Sequence, residues 1–225
     1  MASVGLITVN GNMVELTILS RSLTSGTTSI DSIEIEQLSN EIKERGLSEK
    51  FEERFFENRL EKIERMMAQD NTFLGRMNHN AYHRSGRSAV SHHRKYIRNG
   101  LISVISKVNS NFMCRHCHNP TFIDKNTGKN YVLSHHMLEY NETEDGPDVL
   151  ENLIVLCPTC HDRIHHGTSQ AVFELHTKLR RTNEINFEQF RIIQQNHLLK
   201  RHHISLLKKR GIITQQEAER LNSLF

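Results

Sequence analysis

Two Cys-x-x-Cys pairs constrain this chain more than any other feature of its sequence. They are Cys114/Cys117 and Cys157/Cys160, and they contain all four cysteines of the 225 residues. Thiolates two residues apart on a tight turn can each supply half of a tetrahedral zinc site without straining the backbone. Two disulfides are the alternative, but no apolar signal segment opens the sequence and a chain of this length does not need covalent cross-links. The spacing therefore predicts a structural Zn²⁺ site.

Two short β-favouring runs lie between the cysteine pairs and beside the second one. They read YVLSHHML at 131–138 and NLIVL at 152–156. Short runs rich in β-branched and other apolar residues indicate strands, and we expect these two to pair as a hairpin. The first run contains His135 and His136, and the second begins with Asn152.

A helix is expected directly after the second run. Pro158 suits the first helical turn, where its missing N–H costs no hydrogen bond. His161 and His165 are then four residues apart on one face of the helix. Packing of the hairpin on that face would bring His135 or His136 towards the same point in space. The spacing therefore predicts a second site, built from histidines.

These motifs resemble those of a known family. They read CRHC at 114–117, LSHHML at 133–138, ENLIVLCPTCH at 151–161 and IH at 164–165, together about a quarter of the chain. The pattern resembles the HNH endonucleases, whose ββα-metal core carries CxxC, a His pair or Asp-His, an Asn, and then CxxCHxxxH. The resemblance implies an α+β fold in which this core is braced by the four-cysteine zinc site and flanked by helical N- and C-terminal regions.

The resemblance also implies a role for each residue of the histidine site. His136 is the expected general base, and Asn152 is the residue that orients it. His135, His161 and His165 are the expected ligands of a catalytic divalent cation, which could be Mg²⁺, Mn²⁺, Ni²⁺ or Zn²⁺. Many family members carry Asp at the position of His135, whereas nuclease domains of the colicin type carry His-His, as this chain does.

The residue types suit hydrolysis of a phosphodiester. A neutral imidazole with a pKa near ~6.5 can take a proton from water at physiological pH. A divalent cation can bind the phosphate and stabilise the leaving oxygen as a Lewis acid. Adjacent residues of a strand point to opposite faces. His135 and His136 can therefore serve one phosphate only if the strand end is distorted or different ring nitrogens are used.

A basic segment precedes the predicted core. Residues 71–123 contain no Asp or Glu but eight Lys and Arg residues, which attract phosphate. Apolar residues three and four apart predict an amphipathic helix over Ser91–Val108. A solvated basic surface is the alternative, but the position of the segment favours DNA contact by Arg87, Arg94, Lys95 and Arg98.

The two ends of the chain have weaker patterns. Residues 6–19 favour a hairpin, and 39–67 favour acidic helices. After the core, a helix is expected over 187–207, and 214–217 resembles a capping box that opens a last helix. The chain is thus expected to have an N-terminal region, a basic segment with a helix, the HNH-like core and a C-terminal helical region, at 1–75, 76–110, 111–168 and 169–225.

We interpret the sequence as that of a divalent-metal-dependent DNA endonuclease, used in restriction, phage defence or the processing of mobile-element or phage DNA. Its expected partner is duplex DNA. A second copy of the chain, in a homodimer, is a further candidate partner. No stretch approaches the ~20 apolar residues of a membrane span, so a cytoplasmic location is expected. The alternative function is a zinc-stabilised nucleic-acid-binding module without catalysis.

Overall fold

The computed structural model describes residues 7–10, 13–16, 35, 37–40, 42, 49–70, 72–77, 81, 98–141 and 143–225. We number the elements within these residues in chain order. The strands are β1 (Ile7–Asn10), β2 (Met13–Leu16), β3 (Leu133–His136) and β4 (Leu153–Leu156). The helices are α1 (Glu49–Glu57), α2 (Leu60–Gln69), α3 (Gly100–Asn109), α4 (Pro158–His166), α5 (Ser169–Arg181), α6 (Phe187–Gln195), α7 (Arg201–Lys209) and α8 (Gln215–Asn222).

The expected hairpin and helix form a ββα unit. β3 and β4 pair antiparallel, with Leu133 opposite Leu156 and His136 opposite Leu153. All four residues of β4 are buried, and both α3 and α4 pack against the two strands. A 3₁₀ turn over Leu150–Asn152 leads the chain into β4. The predicted α+β fold is therefore confirmed.

The start of α4 is determined by local chemistry. Cys157 precedes the helix in extended conformation, and its sulfur accepts from the Cys160 backbone N–H. Pro158 occupies the first helical position, as its sequence context predicts. The second cysteine pair therefore lies on the first turn of α4, and the two histidines that follow it project from the same helix.

The helix predicted over Ser91–Val108 begins later than expected. α3 begins at Gly100, because the Asn99 side chain accepts from the Leu101 and Ile102 N–H groups and ends the extended backbone there. Residues 91–97 lie outside the described residues. A Cβ on Gly100 would lie 2.5 Å from the Glu53 nitrogen, so α1 approaches the start of α3 closely only because this residue is glycine.

The C-terminal region consists of four helices. The single helix predicted over 187–207 is wrong, because the chain is interrupted between α6 and α7, where His197 has φ 58°. This left-handed conformation breaks a helix. The predicted capping box is confirmed: Thr214 accepts from the Glu217 N–H, and the Glu217 carboxylate accepts from the Thr214 N–H.

Two buried apolar clusters flank the ββα unit, and β4 contributes to both. Val155 joins the cluster formed mainly by α1, α2 and α3, which includes Phe56 and Ile105. Ile154 joins the cluster formed with α5 to α8. The unit that carries the histidines is thus held between two helical layers. Within the described part of the chain, no helix is long and apolar enough to cross a membrane.

The predicted N-terminal hairpin is present as the pair β1 and β2, with Ile7 opposite Leu16. The helices predicted before residue 67 are present as α1 and α2, interrupted at residues 58–59. α1 is acidic, whereas the two Glu residues of α2 are balanced by Lys62 and Arg65. The division of the chain at residues 75, 110 and 168 stays a prediction, since much of 1–48 and 82–97 lies outside the described residues.

Candidate metal centres and active site

The four cysteines converge on one point. The sulfur atoms of Cys114, Cys117, Cys157 and Cys160 all lie within 4.8 Å of one another, and none of the four forms a disulfide. Cys117 Sγ and Cys157 Sγ are 3.8 Å apart. Two sulfurs bound tetrahedrally at about 2.3 Å from zinc would be separated by about 3.8 Å. The donor set and its spacing therefore fit a zinc ion.

The surroundings of this cluster are those of a closed site. Three of the four cysteines are buried, and Cys117 is half-buried. Burial raises the pKa of the Cys157 and Cys160 thiols, so thiolates at these positions require a compensating cation. His116 Nδ1 lies 3.2 Å from Cys160 Sγ, where an imidazole N–H can donate to the sulfur.

The three predicted metal-binding histidines also lie close together. One ring nitrogen from each of His135, His161 and His165 lies within 4.8 Å of the others. Their ring centroids are 4.6 to 5.3 Å apart. His135 is contributed by β3, and the other two by successive turns of α4. A strand packed on a helix thus joins residues that are 26 or more positions apart in sequence.

The three imidazoles differ in exposure. His135 is buried, His161 is half-buried and His165 is exposed. Burial, followed by the charges of His165 and His161, lowers the pKa of His135 well below its ordinary value. Burial and then the charge of His165 lower the pKa of His161. Both rings are therefore neutral at physiological pH and keep a lone pair for a metal ion. The cluster fits a divalent cation with one side open to solvent.

His136 lies outside this cluster. The β3–β4 register is regular through Leu133–His136, so the imidazoles of His135 and His136 point to opposite faces. The pairing of β3 with β4 shows no distortion that would turn both rings to one face. β3 ends at His136. The ring of His136 stacks on Tyr140, with centroids 6.0 Å apart, and its Nε2 lies 2.9 Å from Asp148 Oδ1.

Asn152 is fully buried and bonds to the backbone of the β3–β4 connection. Its side-chain oxygen accepts from the Leu138 N–H, and its amide donates to the carbonyls of Leu138 and Pro147. These bonds do not reach the His136 ring. The Pro147 carbonyl that accepts from the Asn152 amide directly precedes Asp148 in the chain. The predicted role of Asn152 in orienting the base stays a prediction.

Sequence reasoning missed Asp148, and it also missed Arg210. Arg210 donates to the Met137 carbonyl and pairs with Glu144, so the C-terminal helices brace the connection that follows β3. Two histidines of α7 donate to the Glu144 carbonyl as well. Neither Asp148 nor Arg210 belongs to a recognisable motif. The only local sign of Asp148 is that an acidic residue follows His136 by 12 positions.

The predicted DNA-binding residues are described only in part. Arg87, Arg94 and Lys95 lie outside the described residues. Arg98 is half-buried beside the start of α3. It lies near enough to His161 for its positive charge to contribute to the lowered pKa of that ring, after burial and His165. A cation therefore lies close to the histidine cluster.

The sequence match coincides with this site. Residues 124–167 match the family model of the HNH endonucleases. The resemblance to that family is confirmed for this segment. The match spans β3, β4 and α4, and so includes both histidines of the pair, Asn152 and the two histidines of α4. Cys114 and Cys117 lie before it.

One solved structure with detectable similarity is that of the Type IV phosphorothioation-dependent restriction endonuclease ScoMcrA. The sequences are 24% identical, and the TM-score is 0.40. The alignment covers 52% of this chain and 22% of that chain, so the present chain matches about a fifth of the longer protein. No curated protein matches this sequence at a significant level.

Proposed function

We propose that this protein is a divalent-metal-dependent DNA endonuclease of the HNH type. The observation that carries the proposal is the three-histidine cluster, which is open on the side of His165 and lies within the segment that matches the HNH endonuclease model. Three protein ligands with one open side are typical of catalytic metal sites, whereas closed sets of four are typical of structural ones.

His135, His161 and His165 would hold the catalytic cation. Their donor atoms are close together, and two of the rings are neutral for the physical reasons given above. The bound cation would supply Lewis-acid stabilisation of a phosphate oxygen and of the leaving oxygen. Mg²⁺, Mn²⁺, Ni²⁺ and Zn²⁺ are the candidates. The four cysteines would hold a structural Zn²⁺ that keeps α4 in place.

His136 would take the proton of the attacking water. We place the scissile phosphate beyond the end of β3. The strand ends at His136, so no further paired residues separate its two faces there. The imidazole and the metal ligands would then act on one phosphate from the two sides of the strand end. Asn152 would hold the connection after β3 in the conformation that this arrangement requires.

Arg98 and the basic residues before it would bind the DNA backbone. The positive charge of Arg98 contributes to the lowered pKa of His161, and this nearness to the histidine cluster supports the proposal that Arg98 contacts a phosphate. Duplex DNA is the proposed substrate, and restriction, phage defence and processing of mobile-element or phage DNA are the proposed uses. A homodimer would allow both strands to be cut.

A plasmid-cleavage assay tests the proposal. The wild-type protein is expected to nick or linearise supercoiled plasmid with a divalent cation and to lose this activity with a chelator, while circular dichroism shows that it stays folded. His165→Ala should be inactive. His166→Ala is the matched control, because His166 lies on the same helix and outside the cluster. DNA binding without cleavage under all metals would instead favour a zinc-stabilised binding module.

The salt dependence of DNA binding tests the basic residues. Replacing Arg98 with Gln should weaken binding to all sequences alike and lower the slope of log affinity against log salt by about 0.9. Each of Arg87→Gln, Arg94→Gln and Lys95→Gln should do the same. Arg65→Gln is the control, because Arg65 is an exposed residue of α2, outside the basic segment. An unchanged slope in the four variants would assign them to a solvated surface.

A further inference from the structure

His136 and Asp148 form a buried pair that the predicted motif does not contain. Their side chains are 6% and 4% exposed, and His136 Nε2 lies 2.9 Å from Asp148 Oδ1. The two residues are 12 positions apart, at the two ends of the connection between β3 and the 3₁₀ turn. The pair therefore depends on the conformation of that whole connection.

The carboxylate of Asp148 is also held from its other side. Its Oδ2 accepts from the Asn99 backbone N–H at 2.7 Å. Asn99 is the N-cap of α3, where its own side chain accepts from two N–H groups of the first turn. A backbone N–H at a capped helix start can only donate, and it cannot turn away. Asp148 is thus oriented by a rigid element of the core.

This arrangement determines which nitrogen of His136 carries the proton. An ionised carboxylate only accepts hydrogen bonds, so Nε2 must be the donor. In the neutral imidazole the lone pair is then on Nδ1. Nδ1 is buried and has no hydrogen-bond partner among the residues that the structure describes. Of the two ring nitrogens, Nδ1 is therefore the acceptor, and no described group donates to it.

We propose that Asp148 is the positioning residue of the active site, which holds His136 in the tautomer with its proton on Nε2 and its basic lone pair on Nδ1. The use of that lone pair rests on the proposed function, in which His136 takes a proton from water. The tautomer itself does not rest on it. Asp148 touches neither substrate nor metal in this proposal and acts only through His136.

The alternative is that Asp148 merely ties the connection after β3 to α3. Asp148→Asn separates the two roles, because the Asn99 N–H dictates how the new amide is turned. The amide oxygen must accept from Asn99, which leaves the NH₂ group facing His136 Nε2. Nε2 must then become the acceptor, and the proton must move to Nδ1. In Asp148→Asn the link between α3 and the connection after β3 would remain, but the His136 proton would lie on Nδ1 instead of Nε2.

The tautomer can be measured without any assay of cleavage. We would record two-bond ¹H–¹⁵N correlation spectra of the histidine rings of the metal-free and zinc-loaded protein, with His136 assigned by its absence in His136→Gln. The spectra are taken at about pH 8, above the ordinary histidine pKa of about 6.5. The expected wild-type signal is that of a ring protonated on Nε2. Protonation on Nδ1, or on both nitrogens, would overturn the proposal with no further variant.

Asp148→Asn is expected to change the signal to that of the Nδ1–H tautomer, while zinc content and the unfolding midpoint remain close to those of the wild type. Asp145→Asn is the matched control: it removes one acid from the same connection, and Asp145 forms an ion pair with Lys200 rather than a bond to His136. It should leave the tautomer and the cleavage rate unchanged. A folded Asp148→Asn protein that keeps the wild-type tautomer would refute the proposal.

Cleavage kinetics then connect the tautomer with the proposed function. Asp148→Asn should lower kcat by about 10² or more, since a general base contributes about 10² to 10⁴, and should leave KM unchanged. If the wild-type protein cuts no DNA with any metal, the proposed nuclease function fails, whereas the tautomer measurement still stands. If Asp148→Asn reverses the tautomer and cuts at the wild-type rate, the use of Nδ1 as the base is refuted.

Discussion

The two candidate metal sites share one helix, α4, which carries Cys160 of one site and His161 and His165 of the other, yet the sites differ in composition and exposure. The cysteine site has four thiols, of which three are buried, and it leaves no ligand exposed. The histidine site has three imidazoles that run from buried His135 to exposed His165. A complete tetrahedron of thiolates has no position for a substrate, whereas three ligands leave one open. Ligand number and exposure together therefore separate a structural metal site from a catalytic one.

The largest difference is expected when one ligand is removed from each site. Cys114→Ser should give unfolded or insoluble protein, because zinc contributes folding free energy of about 10–16 kcal/mol in zinc-finger peptides. Cys160→Ser should behave in the same way. His161→Ala should fold, keep one zinc per chain and lose cleavage. Zinc content, circular dichroism and plasmid cleavage measure the three quantities.

Two outcomes would contradict this division between a structural and a catalytic site. A folded and fully active Cys114→Ser protein would remove the bracing role from the cysteines. An unfolded His161→Ala protein would mean that the histidine site also stabilises the fold. Since His161 is half-buried at the start of the second turn of α4, the loss of its ring leaves no large cavity in the core.

His136 belongs to neither set of ligands and therefore tests the reactive site without disturbing its metal. His136→Ala should bind zinc and DNA as the wild type does, but its cleavage rate should fall by about 10² to 10⁴, the usual contribution of a general base. Single-turnover cleavage and DNA affinity are measured in parallel. A near wild-type turnover would remove His136 from the role of base.

The neighbours His135 and His136 should respond differently to the same substitution. His135→Asp still offers an oxygen to a divalent cation, and carboxylates suit Mg²⁺ and Mn²⁺ better than imidazole does. It should keep measurable cleavage, with a preference moved towards those ions. His136→Asp has a side-chain pKa near ~3.9 and is a weak base at neutral pH, so it should be nearly inactive with every metal.

Cleavage across Mg²⁺, Mn²⁺, Co²⁺, Ni²⁺ and Zn²⁺ measures this contrast, and calorimetric titration of Mn²⁺ reports binding apart from activity. Efficient cutting by His136→Asp together with an inactive His135→Asp would mean that the two roles are reversed. Weaker Mn²⁺ binding by His135→Asp than by the wild type would contradict the ligand role of residue 135.

Low pH should affect the histidine site by lowering the stability of the fold as well as by protonating its ligands. This loss of stability is the smallest of the expected effects. Burial lowers the pKa of His203 to about 4, so between about pH 6.5 and pH 4 the unfolded chain binds more protons than the folded one. Stability is therefore complete above about pH 6.5 and falls with pH by up to about 1.4 kcal/mol per unit. His203 holds the Glu144 carbonyl, in the connection that presents Asp148.

His203→Gln cannot gain this proton, so its unfolding free energy should depend less on pH over that range. Urea unfolding at pH 7, 6 and 5 compares the two proteins. Parallel curves would show that protonation of His203 does not control acid stability. A loss of wild-type cleavage at pH 6 without any loss of stability would then assign the acid effect to the histidine site itself.

Local elements were predicted better than their ends. The hairpin of β3 and β4, the helix after Pro158 and the capping box at Thr214 all follow from neighbouring residues. The start of α3 and the interruption after α6 do not, since they depend on Asn99 as a cap and on the left-handed His197. Apolar periodicity continues through both points and gives no sign of either break.

The sequence alone determined which residues can form the two sites, because the spacing of two Cys-x-x-Cys pairs and of His161 and His165 is a local property of turns and of one helix. Residue spacing alone left open whether His135 or His136 joins the cluster, and it was the resemblance to the HNH endonucleases that favoured His135. The tertiary structure supplies the physical reason, because strand register assigns adjacent side chains to opposite faces. It also brought Asp148 to His136, and Asn99 to Asp148 from 49 residues away. Such contacts depend on how β3, α3 and their connection pack, which no local pattern encodes.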